Sequence, residues 1–334
     1  HPRQASICRR LAWGGLRCSA RGMDNPAPAL LAPDEAGIAR AAAILRGGGL
    51  VAVPTETVYG LAARADSAEA VAAIYRAKGR PEFNPLIVHV ASLEMARRLA
   101  VFDERAERLA ADFWPGPLTL ALPLREDAGL APAVTAGLPT VALRMPDQPD
   151  TRRLLAGLGL PLAAPSANRS GAVSPTEPAH VVASLGGRVA AVLDGGRCRR
   201  GLESTIVALR EWGWQLLRPG PISEAEIAAR LGPPLPLASA RIEAPGQLEQ
   251  HYSPGKPVRL DAVVAEKDEF LIGFGKVDGD CCLSESGDLA EAAARLYACL
   301  HEAAASDRPR IAVAPIPTEG MGAAINDRLR RAAA

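Results

Sequence analysis

Residues 50–90 read LVAVPTETVYGLAARADSAEAVAAIYRAKGRPEFNPLIVHV, and their apolar residues follow two different spacings. The continuous apolar runs 50–53 and 86–90 are typical of short buried strands, and Pro54 stops the first of them. Between these runs the apolar residues recur at the spacing of a helix: Val71, Ile74 and Tyr75. A strand–helix–strand order of this kind indicates an α/β domain built around a largely buried sheet.

The two ends of that helix also carry sequence signals. Asp66 and Glu69 have the spacing of a capping box, which predicts that the helix starts at Asp66. Lys78 and Gly79 form a typical helix exit, because glycine readily adopts the left-handed conformation that ends many helices.

The same alternation continues on both sides of residues 50–90. A helical pattern runs from Asp34 to Arg46 and ends at three glycines. Other helical patterns lie near 92–99, 103–113 and 223–231. Further short apolar runs predict strands at 118–122, 140–143, 160–164, 190–193 and 205–209. Together these elements predict one large α/β domain over residues 34–232.

A proline-rich segment separates this domain from the rest of the chain. Residues 233–257 show little periodicity, which favours a stiff linker, and their length suggests a functional loop or lid. Strand-like runs then alternate with helical patterns, at 270–274, 288–304, 311–315 and 322–333. The sequence therefore predicts a small second α/β domain over residues 258–334.

Composition and charge restrict the class of protein. The chain has 334 residues, of which 48% are hydrophobic, and this is ample for a folded core. Its net charge is +1, but residues 1–22 contain five arginines and no acid, so residues 23–334 carry a net charge of −4. An acidic body argues against gross electrostatic binding of nucleic acid. We expect residues 1–22 to be a non-native or disordered extension, with Met23 as the true start; an organelle transit peptide is the alternative.

Several common functional classes lack their sequence signals. No charge-free apolar run reaches the roughly 18 residues that a membrane helix needs, so no membrane is expected as a partner. The six cysteines show no metal-binding spacing, so we expect reduced thiols and no metal site. The P-loop, the complete dinucleotide fingerprint, the nucleophile elbow and the H-E-x-x-H motif are absent from the sequence. These observations disfavour hydrolases and metalloenzymes.

Polar residues cluster instead in loops that follow predicted strands, where open α/β sheets bind ligands. Four of them are cations: Lys78, Arg80, Arg144 and Arg218. Cations beside Ser, Thr and Asn side chains suit a multiply charged anion such as a nucleoside triphosphate. Each residue alone also has an ordinary explanation, because loop cations are usually solvated, Thr55 and Thr57 suit a turn, and Ser166 suits a helix cap.

Taken together and in order, these segments closely resemble the YrdC-like family, specifically its two-domain threonylcarbamoyl-AMP synthases. The matching segments of the large domain are PTETVYGLAA (54–63), AKGRPEFNPLIVHV (77–90), FWPGPLTL (113–120), VALRMPD (141–147), PLAAPSANRSGAVSPT (161–176), ESTIV (203–207) and LLRPGPIS (216–223). HYSPGKP (251–257) resembles the linker motif of the family. Residues 287–300 and 311–333 resemble its C-terminal accessory domain.

The resemblance implies a fold and a reaction. The fold is a YrdC-like α/β domain, with a twisted, mixed, open sheet, flanking helices and a basic concave site, joined to a small Rossmann-like α/β domain. The reaction converts L-threonine, bicarbonate and ATP into threonylcarbamoyl-AMP and pyrophosphate, as expected of a nucleotidyltransferase. The product supplies threonylcarbamoyl modification of the adenosine next to the anticodon of tRNA.

The resemblance also implies roles for individual residues. The residues implied to be catalytic are Lys78, Arg80, Ser166 and Asn168. The same four are implied to bind ATP, together with Asn84, Thr140, Ser174, Arg218 and Tyr252. The residues implied to bind L-threonine are Thr57, His89, Arg144, Ala164 and Ser204, with Thr55 as a less certain alternative to Thr57. Tyr252 is expected to fold over the nucleotide and exclude water.

The remaining expectations concern partners and alternatives. Mg²⁺ is expected to arrive on the ATP phosphates, and a separate tRNA transferase to receive the product by hand-off, without a stable grip on tRNA, in the cytoplasm. Two other interpretations are the carbamoyl-transfer module of hydrogenase maturation proteins and an RNA- or nucleotide-binding module without synthase activity. The chain lacks the length and cysteine clusters of the first. Its acidic body and few aromatic residues disfavour the second.

Overall fold

The computed structural model describes residues 26–236, 243–247 and 251–334. The expectation for residues 1–22 lies outside the described residues. Within the described ranges, one sheet has ten strands and a second sheet has four. Both sheets are flanked by helices, so the fold is the expected mixed α/β arrangement.

The ten-stranded sheet belongs to the large domain. Its strands, in chain order, are β1 (Ala29–Leu31), β2 (Val51–Val53), β3 (Gly60–Arg64), β4 (Ile87–His89), β5 (Leu118–Pro123), β6 (Thr140–Arg144), β7 (Leu162–Ala163), β8 (Ala191–Leu193), β9 (Thr205–Arg210) and β10 (Gly213–Arg218). Their order across the sheet is β1-β8-β2-β3-β7-β4-β6-β5-β9-β10. Parallel pairs such as β4 and β6 alternate with antiparallel pairs such as β5 and β6, which makes the sheet mixed.

Seven α-helices accompany this sheet among the described residues. They are α1 (Glu35–Arg46), α2 (Ala68–Lys78), α3 (Leu93–Leu99), α4 (Glu104–Phe113), α5 (Pro149–Leu158), α6 (Pro178–Leu185) and α7 (Glu224–Leu231). The predicted helices match α1, α2, α3, α4 and α7. Five strands and α-helices of the large domain lie outside the sequence predictions: β1, β3, β10, α5 and α6.

The start of α2 differs from the predicted capping box. Ser67 is the N-cap, and its hydroxyl accepts the backbone N–H of Ala70 at 3.3 Å. Asp66 instead forms an ion pair with Arg64 at 2.7 Å, so its carboxylate is already occupied. The predicted exit is confirmed, because Gly79 has a φ of +60° and ends the helix in the left-handed conformation.

The four-stranded sheet forms the core of the C-terminal part. Its strands are β11 (Val258–Arg259), β12 (Glu269–Gly273), β13 (Cys281–Cys282) and β14 (Arg310–Val313), all parallel, in the order β11-β14-β12-β13. Two helices cover it, α8 (Leu289–Ala305) and α9 (Met321–Ala333). A parallel sheet with crossover helices confirms the predicted Rossmann-like arrangement.

A shared apolar cluster joins the two parts of the chain. Val58 and Leu202 of the large domain pack in one buried cluster with Tyr252 of the linker and Tyr297 of α8. Tyr252 of the linker therefore packs against residues of both domains. The four cysteines among the described residues are free thiols. None of the helices in the described ranges is long and apolar enough to cross a membrane.

Candidate active site

A cavity opens where several strands of the large sheet end. His89 is the last residue of β4, Arg144 is the last residue of β6, and the two are register partners in this parallel pair. Arg218 ends β10 at the same edge. The residues that line the cavity are Thr55, Thr57, Val58, Gly60, Arg80, Ile87, His89, Arg144, Ala164, Pro165, Ser166, Glu203, Ser204, Arg218, Pro245, Gly246, His251 and Tyr252. Most residues with an implied binding role therefore line this one cavity.

Three partners fix the guanidinium of Arg144 in place. Its Nη2 lies 2.5 Å from Oε1 of Glu56, its Nη1 donates to the hydroxyl of Thr57 at 2.8 Å, and its Nε donates to the carbonyl of Gly116 at 3.2 Å. The second oxygen of Glu56 accepts the backbone N–H of Asp147 at 3.0 Å. A guanidinium fixed in this way still has one N–H on each terminal nitrogen to offer a carboxylate.

The two threonines of the turn after β2 have different surroundings. The hydroxyl of Thr55 donates to the carbonyl of Val58 at 2.6 Å and accepts the backbone N–H groups of Thr57 and Val58. These bonds close the turn, which is the structural role that a threonine commonly has there. The hydroxyl of Thr57 contacts Thr55 and Arg144 instead, so it lies nearer to the guanidinium.

Two further cations, Arg80 and Arg218, form another part of the cavity wall. Arg80 donates to the carbonyls of Asn84 and Pro85, and Arg218 donates to the carbonyls of Ser204 and Pro245. Neither has a carboxylate within ion-pair distance among the described residues, although both are at least nine-tenths buried. Burial lowers the pKa of Arg80 to about 10. Buried cations without an acidic partner are costly unless an anion joins them, so this wall suits phosphate groups.

Lys78 supports the wall from behind. Its Nζ donates to the carbonyls of Ser166 and Asn168, at 2.5 Å each, and the side chain is fully enclosed. Burial, together with the charge of Arg80, holds the pKa of Lys78 well below its usual range. Lys78 thus fastens the loop that carries Ser166 to the end of α2.

Several buried polar atoms around the cavity have no hydrogen-bond partner. Among the described residues they are the Nδ1 atoms of His89 and His251, the hydroxyl of Tyr252, and the Oδ1 atoms of Asn84 and Asn168. Leaving a buried polar atom unpaired costs about 1–3 kcal/mol, so such atoms are rare away from binding sites. Burial also lowers the pKa of both His89 and His251 to about 3, so both rings are neutral near neutral pH.

Five residues with implied roles do not line the cavity. Lys78, Asn84 and Asn168 lie directly behind its wall, and Asn168 donates its side-chain N–H groups to the carbonyls of Arg169 and Ala172. Ser174 is buried and donates to Oε1 of Glu203 at 2.5 Å. Thr140 is at the start of β6, whereas Arg144 is at its end, roughly 13 Å away at the rise of a strand. The roles of these residues stay predictions.

Sequence reasoning missed other residues of the site. Glu56 and Glu203 lie inside segments that carry the family resemblance, but nothing in their spacing shows that one pairs with Arg144 and the other lines the cavity. His251 directly precedes Tyr252 and also lines the cavity. Arg328 lies 125 residues after Glu203, and only the fold brings the two together.

Comparison with known proteins assigns this site to a family. The Sua5–YciO–YrdC family, described as telomere recombination, matches residues 43–220, and the C-terminal domain family of threonylcarbamoyl-AMP synthase matches residues 222–334. The threonylcarbamoyl-AMP synthase of Bacillus subtilis is 40% identical over 91% of this chain and 94% of its own length. The chain belongs to the threonylcarbamoyl-AMP synthase family.

Relatives and solved structures agree with this assignment. The threonylcarbamoyl-AMP synthase of Pyrococcus abyssi is 40% identical over 87% of this chain and 92% of its own length. A crystal structure of Pyrococcus abyssi Sua5 complexed with L-threonine has a TM-score of 0.84 and 37% identity, and the match covers 91% of this chain and 97% of that chain. Membership of the threonylcarbamoyl-AMP synthase family makes this chain an adenylate-forming enzyme of the nucleotidyltransferase type.

Proposed function

We propose that the protein condenses L-threonine, bicarbonate and ATP into threonylcarbamoyl-AMP and releases pyrophosphate. The observation that carries this proposal is the convergence of three buried cations, Arg144, Arg80 and Arg218, in one cavity. Arg144 suits a carboxylate, and Arg80 and Arg218 suit phosphates, so the cavity is suited to bring an amino acid and a nucleotide together. A relative of this family has been crystallised with L-threonine.

The amino acid is proposed to lie against Arg144. The two N–H groups that Arg144 keeps free match the two oxygens of the threonine carboxylate. Ala164 and Ile87 give this side of the cavity small apolar contacts, and Thr57, His89 and Ser204 surround it with polar atoms. Because His89 is neutral, it adds no positive charge beside the threonine amine.

The chemistry has two steps and needs no protein nucleophile. The threonine amine attacks the carbon of bicarbonate, a nitrogen–carbon bond forms, and water leaves to give a carbamate. A carbamate oxygen then attacks the α-phosphorus of ATP, the bond between the α-phosphorus and the bridging oxygen breaks, and pyrophosphate leaves. The threonine carboxylate, bicarbonate, the carbamate and the ATP phosphates are all anionic, so the protein must hold them together against repulsion and keep the attack in line.

Arg80 and Arg218 are proposed to supply most of that charge compensation. Both are buried and pre-positioned by backbone carbonyls, so they need no rearrangement to stabilise charge that develops on the phosphates. Ser166 also lines the cavity, and Lys78 donates to its backbone carbonyl. Asn84, Asn168, Ser174 and Thr140 are proposed as further nucleotide contacts.

Mg²⁺ is proposed to enter on the ATP phosphates. No group of three or more His, Cys, Asp or Glu side chains in the described parts of the chain is arranged to hold a metal ion. This agrees with an ion whose ligands are mainly the phosphates of ATP and water, since Mg²⁺ keeps several waters and needs few protein ligands. When bound, the ion would neutralise charge on the departing pyrophosphate.

The linker is proposed to cover the nucleotide. Residues 245, 246, 251 and 252 line the cavity, and the carbonyl of Pro245 accepts an N–H of Arg218. Burial raises the pKa of Tyr252, so its unpartnered hydroxyl keeps a hydrogen to donate. A Pyrococcus abyssi Sua5 variant with one His and one Tyr replaced by alanine has also been crystallised.

The proposal extends to the partners of the enzyme. The product is expected to pass to a separate transferase that modifies tRNA, in the cytoplasm. An acidic body of net charge −4 over residues 23–334 fits hand-off of a small molecule better than a firm grip on RNA. The relatives are named as synthases, which supports the synthase and not an RNA-binding module.

The proposed reaction is tested by its product. The purified full chain is incubated with ATP, Mg²⁺, L-threonine and isotopically labelled bicarbonate, and the mixture is analysed by mass spectrometry. We expect an adenylate that carries both threonine and the label. An adenylate without the label, or no adenylate from a folded protein, would overturn the proposed reaction.

A further inference from the structure

A carboxylate of the cavity is held by the C-terminal domain. Oε2 of Glu203 accepts the hydroxyl of Tyr297, on α8, at 2.8 Å and the Nε of Arg328, on α9, at 2.9 Å. Oε1 accepts the hydroxyl of Ser174 at 2.5 Å. Arg328 and Tyr297 are wholly buried, although both come from the second domain.

Arg328 touches the site at a second point. Its Nη2 donates to the carbonyl of Pro219 at 2.9 Å, and Pro219 directly follows Arg218. The guanidinium of Arg328 therefore bonds both to Glu203, which precedes Ser204, and to Pro219, which follows Arg218. These two segments meet without spare room, because a Cβ atom on Gly220 would lie 2.7 Å from the carbonyl oxygen of Glu203.

The held segments carry polar groups of the cavity. Arg218 donates its Nε to the carbonyl of Ser204 at 3.0 Å and its Nη2 to the hydroxyl of Ser204 at 3.2 Å. The hydroxyl of Ser204 also contacts that of Thr119 at 2.7 Å. Arg218 and Glu203 both line the cavity and have opposite charges. Burial would raise the pKa of Glu203, but Arg328 and Arg218 together lower it to about 2, so it is ionised.

We infer that Arg328 and Tyr297 are positioning residues, through which the C-terminal domain keeps the Glu203 carboxylate away from Arg218 and leaves Arg218 free for the nucleotide. This inference rests on the proposed function for the identity of the nucleotide as ATP. Without Arg328, the Glu203 carboxylate loses its ion-pair partner and keeps only the hydroxyls of Tyr297 and Ser174. Arg218 lines the same cavity as Glu203, is buried, and has no ion-pair partner among the described residues. A pair between Glu203 and Arg218 would remove the positive charge that ATP needs.

A merely structural contact between domains makes a different prediction. Arg328 also lies over the ring of Tyr252, with its Cζ 5.4 Å from the ring centre, and Tyr297 stacks on the same ring at 5.6 Å. If these contacts only stabilised the fold, their loss would reduce the folded fraction. The dissociation constant of the folded molecules for ATP would then stay unchanged.

The test measures ATP binding by titration calorimetry on the full chain, with turnover measured in parallel. Arg328→Met is expected to raise the Kd for ATP about tenfold, and Tyr297→Phe, which removes one hydroxyl and keeps the ring, about threefold. Adding Glu203→Gln to Arg328→Met is expected to restore most of the affinity, because a neutral amide does not compete for Arg218. Arg330→Met is the matched control, since Arg330 is exposed on the same helix, and it should bind ATP like the wild type.

Each result decides the inference. An unchanged Kd in folded Arg328→Met and Tyr297→Phe would overturn it, and so would a loss that Glu203→Gln does not repair. If Arg328→Met does not fold, the Kd of Tyr297→Phe decides instead. Binding does not require turnover, so a wild type that binds ATP without making product refutes the proposed function and leaves this test intact.

Discussion

Arg144 and Glu56 form an ion pair of 2.5 Å at the end of β6, and both side chains are almost wholly buried. The pair fixes the plane of the guanidinium from one side and leaves the other side facing the cavity. We therefore predict that Glu56, on the turn after β2, orients Arg144 for the substrate that is proposed to bind there.

Arg144→Lys tests this arrangement. Lysine keeps the charge but loses the planar fork, so we expect the KM for L-threonine to rise about tenfold or more, with a smaller change in the KM for ATP. Steady-state kinetics with each substrate varied in turn measure both constants. Arg97→Lys is the control, because Arg97 pairs with Glu107 on the exposed surface and should behave as wild type. Equal effects on both KM values would contradict a carboxylate role for Arg144.

Tyr252→Phe separates binding from stability. The hydroxyl is buried and has no partner in the described structure, so its removal should not lower the free energy of unfolding and should raise it, by about 1–3 kcal/mol at most. The kcat/KM for ATP should fall about tenfold, because a hydrogen bond to the ligand is lost. Tyr59→Phe should show the opposite pattern, since the Tyr59 hydroxyl bonds to the backbone at Gly195 and Gly196. A destabilised Tyr252→Phe with normal kinetics would mean that the hydroxyl has a structural role.

Lys78→Met should affect both stability and turnover. The substitution leaves the carbonyls of Ser166 and Asn168 without their donor, at a cost of about 1–3 kcal/mol in the free energy of unfolding. Turnover should fall at least tenfold, because the loop of Ser166 loses its support. Lys256→Met is the matched control: Lys256 also donates to two backbone carbonyls, of Ala303 and Ser306, but away from the cavity. Comparable turnover in the two variants would argue against a special role for Lys78.

His251 should make the protein sensitive to mild acid. Burial lowers its pKa to about 3, whereas the unfolded chain binds this proton near pH 6.5. The contribution of neutral His251 to the free energy of unfolding is therefore fully present above about pH 6.5. It is lost as the pH falls, by about 2 kcal/mol between pH 6.5 and 5. Urea unfolding measures the free energy of unfolding at both pH values. In His251→Gln, the difference between the two free energies should be smaller by that amount. Glu203 does not interfere, because its contribution is lost only below its unfolded pKa of 4.5.

Local sequence patterns predicted much of the fold but not all of it. The alternation in 50–90 predicted β2, α2 and β4, because each has a simple apolar spacing and a clear end. β3 (GLAAR) was not predicted because it directly follows the turn that Thr55 closes, with no break that marks a new strand. Its pairing with β2 and β7 makes it a strand. α5 begins with Pro149 behind an uncommon cap, Gln148. At α2, the ion pair of Asp66 with Arg64, two residues earlier, decided which neighbour caps the helix.

The site divides in the same way. Residues within the ordered motifs, such as Arg80, Arg144 and Arg218, could be named from the sequence and line one cavity. The contacts that orient them join distant segments, as between Glu56 and Arg144 or Glu203 and Arg328. No local spacing encodes such pairs, because they depend on how the sheet edge and the second domain come together.

The most direct test of the account is pyrophosphate release by the purified full chain with ATP and Mg²⁺, with and without L-threonine and bicarbonate. The account predicts pyrophosphate release that requires both L-threonine and bicarbonate. In the Arg144→Lys variant, release should approach the wild-type rate only at high threonine concentration. Release that is independent of threonine, or no release from a protein shown to be folded, would contradict the claim that this cavity joins an amino acid to a nucleotide.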